Sequence, residues 1–235
     1  TAELFVNAGV VPGSSPSSTE EIIFYRFDEG EGVTATDSSG GDNNGSLLGG
    51  VNWTDSDNGI SGSALKFDGV DDQVNIPDSP DINLQDHSLR SIVLWFKTEH
   101  PLKNSKQVLY EEGGGTRGFN IYVENGMLYV GGWNNGANSW EDTYLSTELT
   151  DMEWHHVGFV LNSQVSNDLQ PDAFKGYLDG LEFGSGEAAT LDPHSGDVAI
   201  GAVRGATQFH DGNSGGGDFR FSGLVDEFHL WNRAL

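Results

Sequence analysis

Four short stretches of this chain could hold a hard cation. They are Asp42-Asn43-Asn44-Gly45, Asp55-Ser56-Asp57-Asn58-Gly59, Asp68-Gly69-Val70-Asp71-Asp72 and Asp211-Gly212-Asn213. Each sets carboxylate and amide oxygens beside glycine, and such oxygen donors suit Ca2+. The chain around them carries 36 acidic residues against 11 basic ones, a formal net charge of -25. That charge repels nucleic acid and anionic membranes. It fits an extracellular, salty, calcium-bearing medium, where charges are screened within about 10 Å. There is no cysteine, so disulfides and thiolate metal sites are excluded.

A second chemistry is suggested by two glycine-rich loops. The segment 131–142 holds Trp133 and Trp140 among Asn134, Asn138 and Asp142. A flat amphipathic ring can face the C–H side of a sugar. Amide and carboxylate groups can bind paired hydroxyls, and glycine lets the backbone approach. The segment 209–218 repeats the composition and offers Asp211 and Asn213. Arg117 and Arg204 join the candidate sugar-binding set because bases are scarce in this chain. Trp140 is the first choice for the stacking ring, since it lies beyond the Gly/Asn stretch. Trp133 has a plainer reading as a cap on the core.

Catalytic patterns are absent from the sequence. Neither E-x-D-x-E nor E-x-D-x-x-E occurs, the strand motifs that would pair two acids about 5 Å apart for glycoside hydrolysis. Glu111-Glu112 runs into three glycines instead. No H-E-x-x-H zinc motif occurs. Gly212-Asn213-Ser214-Gly215-Gly216 satisfies G-x-S-x-G, but it sits in a glycine loop and not on the strand-to-helix turn a nucleophile elbow needs. His155 and His156 are neighbours on a strand, so they point to opposite faces and cannot share a metal. The chain therefore reads as non-catalytic.

The elements that must position these residues are short strands. Residues 1–19 read as an N-terminal segment and linker, and residues 20–235 as one domain. Within it, apolar stretches of five to eight residues alternate with turns. In Gly118-Phe119-Asn120-Ile121-Tyr122-Val123 one face carries Phe119, Ile121 and Val123. Asn125-Gly126 is the strongest hairpin signal, because a type I′ turn needs positive φ at both central residues. Asp179-Gly180 repeats it. No window carries an apolar stripe at helical spacing, and no apolar run reaches the 18 residues of a membrane span. The 33 glycines and 25 aromatic residues suit a sandwich with many tight turns and one core. The fold expected is all-β, a two-sheet antiparallel β-sandwich of jelly-roll type.

These residues, taken in order, resemble the laminin-G-like jelly roll of the concanavalin A-like lectin/glucanase superfamily. The resemblance rests on Phe24-Tyr25-Arg26-Phe27-Asp28-Glu29-Gly30-Glu31-Gly32, on Gly62-Ser63-Ala64-Leu65-Lys66-Phe67-Asp68-Gly69, and on Trp154-His155-His156-Val157 with Tyr177-Leu178-Asp179-Gly180. It closes with Phe221-Ser222-Gly223-Leu224-Val225-Asp226-Glu227-Phe228 and Trp231-Asn232-Arg233-Ala234-Leu235. It implies a structural Ca2+ near the first hairpin and the last strand, with Asp37, Asn44 and Asp226 at the matching positions. The reading is a non-catalytic, calcium-dependent carbohydrate-binding module of a large secreted or cell-surface bacterial protein, monomeric in isolation. Its partner would be a cell-surface glycan or polysaccharide. It would bind no nucleic acid and insert in no membrane. Two alternatives share the fold: an accessory module of a polysaccharide-degrading enzyme, and a structural or protein-binding domain with no sugar site.

Overall fold

The computed structural model describes residues 21–235 apart from 137–139, 165–166, 197 and 216–218. The N-terminal segment and linker of residues 1–19, and the domain start at Glu20, lie outside the described residues. Within them the chain folds entirely into strands and connections. In chain order these are β1 (Glu21–Tyr25), β2 (Thr34–Ala35), β3 (Gly45–Leu48), β4 (Asn52–Trp53), β5 (Leu65–Asp68), β6 (Gln73–Ile76), β7 (Leu89–Thr98) and β8 (Gln107–Gly113). They continue with β9 (Arg117–Glu124), β10 (Met127–Asn134), β11 (Asp142–Glu148), β12 (His155–Asn162), β13 (Gln170–Leu178), β14 (Leu181–Ala188), β15 (Val198–Ile200) and β16 (Ser222–Trp231).

The strands form two antiparallel sheets, the sandwich expected of this sequence. The first runs β14-β13-β12-β7-β16-β5-β4, with β1 also paired to β16. The second runs β11-β10-β9-β8-β15-β6-β3-β2. Alternation decides what each sheet buries. Phe119, Ile121 and Val123 of β9 join Leu128 and Val130 of β10 in the core. From the other sheet come Ile92, Leu94 and Phe96 of β7 and Val157, Phe159 and Leu161 of β12. Side chains two apart on a strand share a face, so Asn120, Tyr122 and Tyr129 are left on the outer face of the second sheet.

Two hairpins follow the turn chemistry read in the sequence. Asn125 and Gly126 have φ of 49° and 79°, and join β9 to β10. Asp179 and Gly180 have φ of 51° and 78°, and join β13 to β14. Both residues of a type I′ turn require this left-handed region. The closing strand β16 is continuous but irregular. Its register shifts between Asp226 and His229, where Glu227 has φ of 47°. The bulge lets one strand pair with β5 through its first half and with β1 through its second.

Candidate functional site

Neither Trp133, near the end of β10, nor Trp140, in the loop after it, is presented to solvent. Trp140 is 1% exposed and Trp133 is fully buried. Trp140 folds back between the sheets, with ring centroids 6.1 Å from Phe119 and 6.2 Å from Phe174. The cause is Gly132: a Cβ there would lie 2.8 Å from the Trp140 ring, so only glycine admits it. Trp133 lies under the β8–β9 turn, and its Nε1–H donates to Gly114 O at 2.8 Å. Asn134 is buried as well, and its amide donates to Thr190 O at 3.0 Å. The expectation that Trp140 stacks a ligand and Asn134 binds its hydroxyls is therefore corrected: core packing holds both. Asn138 lies outside the described residues. Arg117 is half-buried and donates to Pro193 O at 3.0 Å, so it ties the start of β9 to the segment at 192–193. Arg204, Asp211 and Asn213 are exposed.

The outer face of the second sheet presents rings instead. Tyr129 of β10 is paired with Tyr122 of β9 and Ser146 of β11. Its ring lies 4.8 Å from Tyr122 and 4.2 Å from His210, with planes within 7° and 11° of parallel. Tyr129 is half-buried and His210 exposed, so the stack reaches the surface. One row further along, Tyr144 of β11 faces Gly131, which faces Asn120, which faces Glu111 of β8. A Cβ on Gly131 would sit 2.3 Å from the Tyr144 ring, so glycine lets that ring lie flat across the sheet.

The segment 207–213 is fastened over this face at several points. The Asn120 amide donates to Thr207 Oγ1 and to Gln208 O. The Gln208 amide donates to Asp142 at 3.0 Å and accepts from Asn135 at 2.8 Å. Tyr122 Oη and His210 Nδ1 are 2.6 Å apart. Lys106, almost wholly buried, reaches Asp211 at 2.8 Å and Glu124 at 3.3 Å and lies over the Phe209 ring. Its ammonium holds the Asp211 carboxyl below the ordinary carboxylate range. Burial, then Asp142 and Asp211, push the Tyr144 phenol well up. Burial also raises the Tyr129 phenol, so Tyr129 and Tyr144 both stay neutral hydrogen-bonding groups at ordinary pH. Sequence reasoning found the Asp211–Asn213 part of this region but missed Tyr129 and Tyr144. The available signal was the polar and aromatic parity opposite Phe119, Ile121 and Val123.

The residues matched to a Ca2+ site are engaged by backbone donors. Asp37 accepts from the backbone N–H of Phe24 and Ser39 through Oδ1 and from Asn43 through Oδ2. Asn44 accepts from the Asp37 N–H. Asp226, fully buried, accepts from Ile60, Ser61 and Glu227 N–H groups. These carboxylates close loops onto strands, with their oxygens already engaged by N–H donors. Burial raises the Asp226 carboxyl to about 7 and its neighbour Glu227 to about 7. Asp68, Asp71 and Asp72 do bring carboxylate oxygens within 4.8 Å of one another. The adjacent histidines part as expected. His156 packs on Trp95, and His155 is held between Asp151 and Asp179 at 2.8 Å each.

Comparison with known proteins agrees with this architecture. The binding domain of Paraclostridial Mosquitocidal Protein 1 superposes with a TM-score of 0.67 at 14% identity, over 93% of this chain and 50% of that one. The botulinum neurotoxin serotype G binding domain gives 0.63 at 13%, over 92% and 48%. The binding domain of botulinum neurotoxin DC, solved in complex with SialylT, gives 0.61 at 10%, over 93% and 49%. The chain spans about half the length of these binding domains, and at such identities the likeness is one of fold. No curated protein matches by sequence. The Laminin_G_3 family model matches residues 68–235, so the chain belongs to that family of the concanavalin A-like lectin/glucanases superfamily.

Proposed function

We propose that this domain is a non-catalytic glycan-binding module, and that its site is the outer face of β9, β10 and β11 beneath the segment 207–213. The observation that carries the reading is the parallel stack of Tyr122, Tyr129 and His210, which ends at the surface among Asp142, Gln208, Asp211 and Asn213. A ring face supplies a plane for the C–H side of a sugar. The surrounding carboxylates and amides supply acceptors and donors for its hydroxyls. That one structural relative was solved with SialylT lends support to a sugar ligand, though not to its charge class. An extracellular or cell-surface setting, in a larger bacterial protein, fits the charge of -25 and the lack of cysteine.

A single sugar ring offers little area. Affinity near a Kd of about 1 mM, about -4 kcal/mol, is expected for one unit. Many copies on a polymer or a cell surface would raise the avidity without new contacts. A glycan survey followed by titration of the best responder tests the reading. Binding that disappears in Tyr129→Ala while the fold persists supports it. Binding that ignores Tyr129, or no binding at all, refutes it.

Calcium support of the fold is a separate proposal. It rests on the turn of Asp68, Asp71 and Asp72, whose carboxylate oxygens lie within 4.8 Å of one another. Melting curves in Ca2+ and in EDTA test it, and identical curves refute it.

A further inference from the structure

Charge around the stacked rings distinguishes classes of sugar. Four carboxylates border the platform. Glu124 and Asp211 share Lys106, at 3.3 and 2.8 Å. Asp142 and Glu148 lie on β11 at the same parity as Tyr144, opposite Trp133 and Met127 of β10. Asp142 and Glu148 are exposed, and the Asp211 side chain is 43% exposed. The opposing base is Lys106, whose side chain is 6% exposed and whose ammonium is already divided between two acids. It cannot turn to meet a ligand. His210 is committed through Nδ1 to the Tyr122 hydroxyl. Burial apart, Glu124 and Asp211 lie close enough to Tyr129, and Asp142 and Asp211 close enough to Tyr144, to push those phenols up. Among the described groups a ligand on the rings therefore meets four carboxylates against one ammonium.

We infer that this site takes neutral and amine-bearing sugars and rejects sugars that carry carboxylate or sulfate. The inference rests on the glycan reading of the same face and adds the ligand class to it. An amine brought near exposed carboxylates gains Coulomb attraction. A carboxylate placed there meets like charge, and the Lys106 ammonium that could balance it is already held by Glu124 and Asp211. In water at about 8 Å each such charge changes affinity about twofold, and added salt weakens the effect.

The experiment compares matched pairs by titration at low and at high salt. One pair is a glucosamine oligomer and its N-acetylated form. The other is a galacturonate oligomer and its methyl ester. The amine should bind several-fold tighter than its acetylated partner at low salt, and the ester tighter than the free acid. Both gaps should shrink with salt. In Asp142→Asn/Glu148→Gln, each gap should narrow about fourfold, since two of the charges are gone. A free acid that binds as tightly as its ester overturns the inference and leaves the glycan reading in place. No binding by any of the four sugars overturns the glycan reading, and the inference falls with it.

Discussion

The loops at 131–142 and 204–213 have nearly the same composition, yet they serve opposite ends. Both mix aromatic residues with glycine, asparagine and aspartate. In the first, Gly132 opens a path into the core and Trp140 takes it. In the second, His210 closes a stack whose other rings, Tyr122 and Tyr129, stand on the outer parity of β9 and β10. Composition sets what a loop can offer. Register and the nearest Cβ-free position decide whether it is offered to solvent or to the core. The acids divide the same way: Asp226 is consumed by three backbone donors, whereas Asp68 and Asp71 are exposed.

The largest effect that can break this contrast is on stability. Trp140→Ala should cost about 3–5 kcal/mol, as large aromatic truncations in cores do, in urea unfolding. Tyr129→Ala, with its ring half at the surface, should cost about 1 kcal/mol. Comparable losses for the two variants would erase the distinction between a core tryptophan and a platform tyrosine.

Asp226→Ala comes next. It removes the acceptor of the Ile60, Ser61 and Glu227 N–H groups; Ile60 and Ser61 are exposed and can turn to water, so the loss should be about 1 kcal/mol. The loss should be equal in Ca2+ and in EDTA. A loss seen only with Ca2+ present would make Asp226 a metal ligand after all.

Lys106→Met should loosen the segment 207–213 with a global stability loss of about 1 kcal/mol, because Asp211 and Glu124 can turn to water. Hydrogen exchange should rise at 207–213 and stay unchanged at β12. Unchanged exchange at 207–213 would mean the other hydrogen bonds alone hold that segment.

A separate effect is on pH dependence. Burial first, then Asp28, raises the Glu227 carboxyl to about 7, against the lowering pull of Arg26. The folded chain thus holds this proton more tightly than the unfolded chain. Stability contributed by Glu227 falls as pH rises from its ordinary carboxylate range through about 7, and is level above that. Glu227→Gln should therefore gain on the parent in melting temperature at pH 8 but not at pH 4. An equal difference at both values would contradict the assignment.

The sequence made the sandwich legible because its signals are local. Asn125-Gly126 and Asp179-Gly180 require hairpins, and Phe119, Ile121 and Val123 mark a buried face whatever surrounds them. The site was legible only in part. Asp211 and Asn213 announce an exposed turn by themselves. Tyr129 and Tyr144 become neighbours through the pairing of β9, β10 and β11, which places Tyr144 across Gly131 and Tyr129 beside Tyr122. Trp140 misled for the same reason: its partners Phe119 and Phe174 stand on opposite sheets. Asp226 likewise reaches donors more than 160 residues away, at Ile60 and Ser61.

The central claim is that ligand meets the outer face of the second sheet and not the Trp140 loop. Backbone and aromatic NMR shifts recorded while a responding glycan is titrated test it directly. The largest shifts should fall on Tyr129, Tyr144 and residues 207–213, with Trp140 indole unmoved. Shifts centred on Trp140 and residues 134–142, with Tyr129 and His210 silent, would contradict the account.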